Sequence, residues 1–157
     1  MIAAPRIDCT LGELLPDLAA SSAFATLRVQ GLTQDSRAVR PGDLFVALAG
    51  SRHHGLDYAA AAVAAGAVAV LHDRPGHDPG LGAPAAGVTQ LRARLGAIAG
   101  RAYGDPSRSL SVVGVTGTNG KTSTVQLLAQ AWTRAGRVAG TIGTLGAGIH
   151  PQVQAGE

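Results

Sequence analysis

The segment Gly114-Val115-Thr116-Gly117-Thr118-Asn119-Gly120-Lys121-Thr122-Ser123 carries the residue types of a phosphate-binding loop, set between a β-branched run and a stretch of helical periodicity. Lys121 is the only lysine in the 157-residue chain, and arginine fills every other basic position. A compact ammonium on a flexible stem reaches between β- and γ-phosphates, where a planar guanidinium fork fits less well. Gly117 and Gly120 can take positive φ and turn successive backbone N–H groups inward as an anion nest. The dipole of the helix that follows adds to the attraction. Thr122 stands where a hydroxyl would ligate Mg²⁺ beside the phosphates, and Thr118, Ser123 and Thr124 are further donors. The spacing departs from G-x-x-x-x-G-K-[ST], which requires glycine at 115; the chain has Val115, with glycines at 114 and 117.

The pattern around this loop predicts the elements that hold it. Leu110 to Val115 reads as a strand, the residues after Gly120 as a helix of about fourteen residues to Ala135 with Gly136 as its cap, and Arg137 to Ile142 as a second strand. Together they predict the opening β-α-β of a parallel nucleotide-binding sheet. The tail from Gly143 to Glu157 is glycine-rich and suggests no further element. A parallel sheet needs several strands covered on both faces, so the sequence is expected to be part of a longer protein.

Upstream, Thr10-Leu11-Gly12-Glu13 is a capping box opening a short helix that Pro16 limits, and Thr26 to Val29 has strand character. Pro41-Gly42-Asp43 predicts a turn and Leu44 to Leu48 a buried strand ending at Gly50. An alanine-rich helix from Gly55 to Ala65, closed by Gly66, and a strand from Ala67 to Leu71 complete a β-α-β unit. His72 to Gly87 reads as loop. Helical spacing resumes at Leu91, Leu95, Ile98 and Ala102, with Thr89 as its N-cap candidate, and ends at Tyr103-Gly104-Asp105-Pro106. The fold class is α/β, with one domain over 1–104 and the start of a second over 105–157.

Composition narrows the function. An apolar share of 46%, mostly alanine, supports a core of small side chains. The net charge of +3 comes from arginines scattered between Arg6 and Arg137, without a basic run or interleaved aromatics, which argues against nucleic acid. The single Cys9 cannot form an internal disulfide, and the five histidines show no metal-ligand spacing. The first residues lack the pattern of a secretory signal. The longest apolar run, Tyr58 to Leu71, is broken by Gly66 and falls short of the ~20 residues that cross a bilayer. A cytoplasmic protein without membrane insertion is expected.

The residues then resemble a known family, the Mur ligases of bacterial cell-wall synthesis, and within it the MurE-type branch. Val113 to Thr122 is similar to the ATP loop of these ligases, including its departure from the ordinary glycine spacing. Asp35-Ser36-Arg37, followed by Pro41-Gly42-Asp43-Leu44-Phe45-Val46-Ala47 and Gly50, resembles their N-terminal uridine-nucleotide domain. Gly140-Thr141-Ile142-Gly143-Thr144-Leu145-Gly146 is similar to the MurE branch in particular. The resemblance implies an ATP- and Mg²⁺-dependent ligase that adds a third amino acid, expected to be meso-diaminopimelate, to UDP-N-acetylmuramoyl-L-alanyl-D-glutamate. It assigns ATP to Gly117, Thr118, Asn119, Gly120, Lys121, Thr122 and Ser123, with Lys121 catalytic and Thr122 on the metal. It assigns the UDP-sugar to Gln34, Ser36, Ser51, Arg52 and His53.

Alternatives stay open on the residues themselves. Asp35-Ser36-Arg37 also fits a capped turn with a surface ion pair, and His53 and His54 fit ordinary loop histidines. The family's carbamylated lysine cannot come from this chain, whose one lysine is assigned to phosphate. A MurF-type ligase and a noncatalytic nucleotide-binding module are the competing functions. A guanine-specific GTPase would need Asn-Lys-x-Asp, which a chain with one lysine in this context lacks.

Overall fold

The computed structural model describes residues 5–17 and 24–154. It contains two compact units, one reaching to Leu110 and the other starting at Ser111.

In the first unit a four-stranded parallel sheet has the order β3 (Gly31–Thr33), β4 (Asp43–Ala47), β5 (Ala69–His72), β6 (Ala85–Gly87). Every residue of β4 and β5 is buried, which is the signature of strands covered on both faces. Alternation sorts their side chains. Leu44, Val46, Ala69 and Leu71 pack on one face with Leu11, Leu14, Leu91 and Ile98, whereas Phe45, Ala47 and Val70 pack on the other with Ala59 and Ala62. The first layer comes from α1 (Leu11–Leu14) and α3 (Leu91–Ala102), the second from α2 (Ala59–Ala64). Alanines on α2 let that helix lie close to the sheet.

Local signals explain most boundaries. The Thr10 side chain accepts from the Glu13 N–H while the Glu13 carboxylate accepts from the Thr10 N–H, so the expected capping box forms. These bonds hold the Glu13 carboxyl below its ordinary range. Asp43, 2% exposed, anchors the start of β4: its carboxylate takes the Arg6 guanidinium at 2.8 Å and the Arg40 N–H at 2.8 Å.

Several expectations are corrected. The stretch Thr26 to Val29 yields a strand only at β2 (Arg28–Val29), antiparallel to β1 (Cys9–Thr10), before β3 begins. The helix expected from Gly55 starts as a 3₁₀ turn, Gly55–Tyr58, and becomes α-helical at Ala59. β6 lies inside the expected loop; Ala85-Ala86-Gly87 has no β-branched residue and is ordered by pairing with β5. The N-cap of α3 is Gln90 at φ 53°, without a side-chain cap bond, rather than Thr89.

The second unit departs further. Its helix α4 spans Lys121–Arg134, with Gly136 at φ 75° past its end, as the sequence predicts. Leu110 to Val115 forms no ladder among the described residues, and Leu110, Val112 and Val113 are more than half exposed. The second strand is β7 (Gly140–Gly143), and it joins β8 (Gly146–Ile149) and β9 (Gln152–Gln154) in an antiparallel sheet. The glycine-rich tail therefore does carry elements. Gly146 at φ 108° supports a two-residue turn at Thr144-Leu145, and β7 thereby obtains a partner a few residues away instead of a parallel neighbour.

Candidate functional site

All four parallel strands end at one edge of the sheet, where ligands of open α/β sheets bind. The loop leaving β3 carries Gln34, exposed, and Ser36, half-buried. Asp35 caps that turn by accepting from the Arg37 N–H at 2.9 Å and pairs with the Arg37 guanidinium at 2.8 Å. The guanidinium bond, then the N–H bond, lowers the Asp35 pKa. The capped turn with its surface ion pair is thus present, and Ser36 sits within it.

The loop leaving β4 carries Ser51, Arg52 and His53, all exposed. The His53 ring meets the Tyr58 ring edge-on, with centroids 6.3 Å apart. The structure therefore brings Gln34, Ser36 and Ser51–His53 to the ends of two neighbouring strands. Beside them an open groove of about 490 Å³ runs under α3, with Thr33, Gln34, Val46, Arg92 and Tyr103 in its walls.

The β4 loop is built as a small hairpin. Ala49 bridges His54, the Gly50 N–H donates to the His53 carbonyl at 2.9 Å, and the Gly55 N–H donates to the Leu48 carbonyl at 2.8 Å. His54 Nε2 meets Asp73 Oδ1 at 2.8 Å, and the Ala49 N–H donates to Asp73 Oδ2 at 3.0 Å. The Leu56 N–H donates to His54 Nδ1 at 3.0 Å, and Arg92 donates to the Ala49 carbonyl. Burial raises the Asp73 pKa, but the Ala49 N–H and His54 bonds outweigh it and leave the carboxyl below its ordinary range. Sequence reasoning missed this set: His54 looked like a loop histidine, and nothing in the spacing pairs it with Asp73. His72, also expected in a loop, ends β5 fully buried, its Nε2 without a hydrogen-bond partner among the described residues. Burial, then His77, pushes its pKa down.

In the second unit the phosphate loop leads straight into α4. Gly117 has φ 144° and Gly120, at the N-cap, φ 76°, both in the region that favours glycine. The exposed Lys121 side chain folds back so that its ammonium donates to the Gly117 and Thr118 carbonyls and lies over the loop. Thr118, Asn119 and Ser123 are exposed around it, and Thr122 is half-buried. Thr124 spends its hydroxyl on the Gly120 carbonyl at 2.9 Å, which removes it as a free donor. Lys121 and Thr122 line a cavity of about 150 Å³ closed by Thr141 to Gly146. Thr141 is 6% exposed and its hydroxyl has no partner among the described residues, a feature the sequence did not flag.

Comparison with known proteins bears on both sites. Residues 28–103 match the Mur ligase family, catalytic domain, and residues 115–155 match the Mur ligase middle domain. The chain belongs to the Mur ligase family. It is 55% identical over 141 residues to a UDP-N-acetylmuramoyl-L-alanyl-D-glutamate--2,6-diaminopimelate ligase of Xanthomonas campestris pv. campestris, which covers 89% of this chain and 28% of that ligase. A solved structure of a ligase with the same name superimposes with TM-score 0.70 at 25% identity, over 95% of this chain and 30% of that one. A MurF ligase from Thermotoga maritima, solved in complex with ADP, matches 68% of this chain and 24% of its own length with TM-score 0.52 and 29% identity. This Mur ligase chain thus spans under a third of the length of the curated relatives it matches. Among the described residues no helix is long and apolar enough to cross a membrane, and no group of three His, Cys, Asp or Glu is placed to hold a metal.

Proposed function

We propose that this chain is the UDP-sugar-binding and phosphate-loop portion of a cytoplasmic, ATP-dependent ligase that joins meso-diaminopimelate to UDP-N-acetylmuramoyl-L-alanyl-D-glutamate in peptidoglycan synthesis. The observation that carries the reading is the loop at the start of α4. Two glycines at positive φ, a lysine held over the loop and a fourteen-residue helix behind it make a seat for a polyphosphate. The relatives' shared name supplies the reaction class.

In that reaction the terminal glutamate carboxylate takes the γ-phosphoryl group of ATP, releasing ADP. The amine of the incoming amino acid then attacks the acyl phosphate, loses a proton and expels phosphate, leaving an amide. Lys121 and the loop N–H groups neutralise the phosphate oxygens as charge spreads over them. Mg²⁺ would supply further charge neutralisation at the phosphates. Thr122, beside Lys121 in the cavity wall, is the residue of this chain suited to hold it. Gln34, Ser36, Ser51, Arg52 and His53 bind the UDP-sugar, the guanidinium and hydroxyls suiting its diphosphate. Boundaries of 1–104 and 105–157 divide the two tasks. Since the chain covers so little of its relatives, it is expected to bind ligands but not to form the amide by itself.

Titration calorimetry with ATP and Mg²⁺ tests the central point. Lys121→Met removes a charge-assisted contact, so binding should weaken about 10- to 100-fold while UDP-N-acetylmuramoyl-dipeptide binding is unchanged. Equal ATP affinity in parent and variant would refute the assignment. Amide formation by the purified chain would refute the division of labour, and UDP-sugar binding with no ATP binding would favour a noncatalytic module.

A further inference from the structure

The Ser51–His53 loop is exposed, yet its two ends are held by groups that no resemblance brought forward. Asp73 leaves the end of β5 with one carboxylate oxygen on the Ala49 N–H and the other on the His54 ring. Ala49 and His54 are the residues that face each other across the base of the loop. The ring is committed on its far side as well: the Leu56 N–H donates to Nδ1, which must therefore carry a lone pair. The proton then resides on Nε2, directed at Asp73. His54 is thus a neutral, two-sided connector with one nitrogen on the start of the next helical turn and the other on the neighbouring strand's end.

We propose that His54 and Asp73 are positioning residues for the UDP-sugar, holding the Ser51-Arg52-His53 loop in the shape that meets its diphosphate. This rests on the reading of that loop as the UDP-sugar contact. A short loop with three exposed polar residues would otherwise sample many shapes and lose their entropy on binding the anion; the tie removes that loss beforehand. Side-chain length separates the two halves of the connector. Asparagine places an acceptor where Nδ1 stands but cannot reach Asp73, whereas glutamine reaches the Nε2 position but gives up the bond from Leu56.

The experiment uses the whole chain and its His54→Asn, His54→Gln and Asp73→Asn variants, with amide hydrogen exchange in the free protein and calorimetry with UDP-N-acetylmuramoyl-L-alanyl-D-glutamate and with ATP. Loss of one bond to a carboxylate corresponds to about a tenfold change. In His54→Asn, exchange at Gly50 should quicken about tenfold, Leu56 should stay protected and UDP-sugar affinity should fall about tenfold, with ATP affinity unchanged. Asp73→Asn should behave alike. His54→Gln should restore UDP-sugar affinity while Leu56 loses protection. Unchanged exchange at Gly50 in His54→Asn, or a His54→Gln variant as weak as His54→Asn, would overturn the proposal. A parent chain that binds no UDP-sugar, with Gly50 still loosened in His54→Asn, would instead overturn the reading of the loop's ligand.

Discussion

Gly55 starts the helical turn that follows the β4 loop, and replacing it with alanine tests how tightly that turn is set against the sheet. A Cβ built there would lie 2.6 Å from Ala47 Cα, 2.7 Å from Leu48 N and 2.9 Å from Ala47 C, all backbone. Ordinary contact begins at 3.4 Å, so the turn must retreat by roughly 0.8 Å from β4, and no rotamer can absorb the shift. Retreat stretches the Gly55 N–H bond to the Leu48 carbonyl, now 2.8 Å, and loosens the packing of Ala59 and Ala62 under Phe45. Overpacking of this kind costs about 1–3 kcal/mol. In a unit of this size about 2 kcal/mol lowers the melting temperature by roughly 8–16 °C. The same motion displaces Ser51–His53, so UDP-sugar affinity should drop at least about tenfold. Gly82→Ala is the control, because nothing lies within 4 Å of its Cβ and it does not sit at positive φ. It should be neutral or gain up to about 1 kcal/mol. Thermal melts followed by circular dichroism decide the matter. A Gly55→Ala melt within a degree of the parent would show that the turn is not pressed on β4, and the reasoning would fail.

Thr10→Ala removes the acceptor for the Glu13 N–H, and the loss of the cap should cost about 1 kcal/mol, read as a lowered urea midpoint at pH 7. Burial lowers the His72 pKa, so below pH 6.5 the unfolded chain takes up a proton that the native state refuses. Stability should therefore fall as pH drops from about 6.5 toward the depressed native value, and His72→Leu should flatten that part of the profile; an equal pH dependence in both proteins would contradict the assignment. Val138 is 84% and Ile149 62% exposed. Exposed apolar side chains of this kind predict that the chain self-associates; sedimentation velocity should show it, a double change to lysine should reduce it, and an unaltered distribution would refute the prediction.

What the sequence made legible depended on whether a signal was local. The Thr10–Glu13 box, the turn at Gly42, the start of α4 at Gly120 and its end at Gly136 each follow from residues within one turn of the event, and all are present. β4 was legible because the four buried residues from Leu44 to Ala47 form an apolar run directly after the turn at Gly42. β6 was not, since Ala85-Ala86-Gly87 owes its extended form to the neighbouring β5. Leu110 to Val115 shows the reverse case: strand propensity is strong, but no partner among the described residues completes a ladder. At the candidate edge the side chains proposed to face ligand were named by resemblance. The groups behind them were not, because the contact of His54 with Asp73 spans nineteen positions and only the parallel register of β4 and β5 brings them together.

The strand order of the sheet in the first unit follows the chain, from β3 to β6, without a reversal. Winding that steps in one direction sends right-handed crossovers to a single face, and α2 lies on that side. The opposite face can be covered only by chain that precedes and follows the winding, which is the arrangement of α1 and α3, joined by the Arg101 bond to the Leu14 carbonyl at 2.9 Å. The two ends of this unit are therefore mutually dependent. Trimming either α1 or α3 would strip the same apolar surface of Leu44, Val46, Ala69 and Leu71, so the shortest autonomous piece must keep both, and a circular permutant joining them should fold.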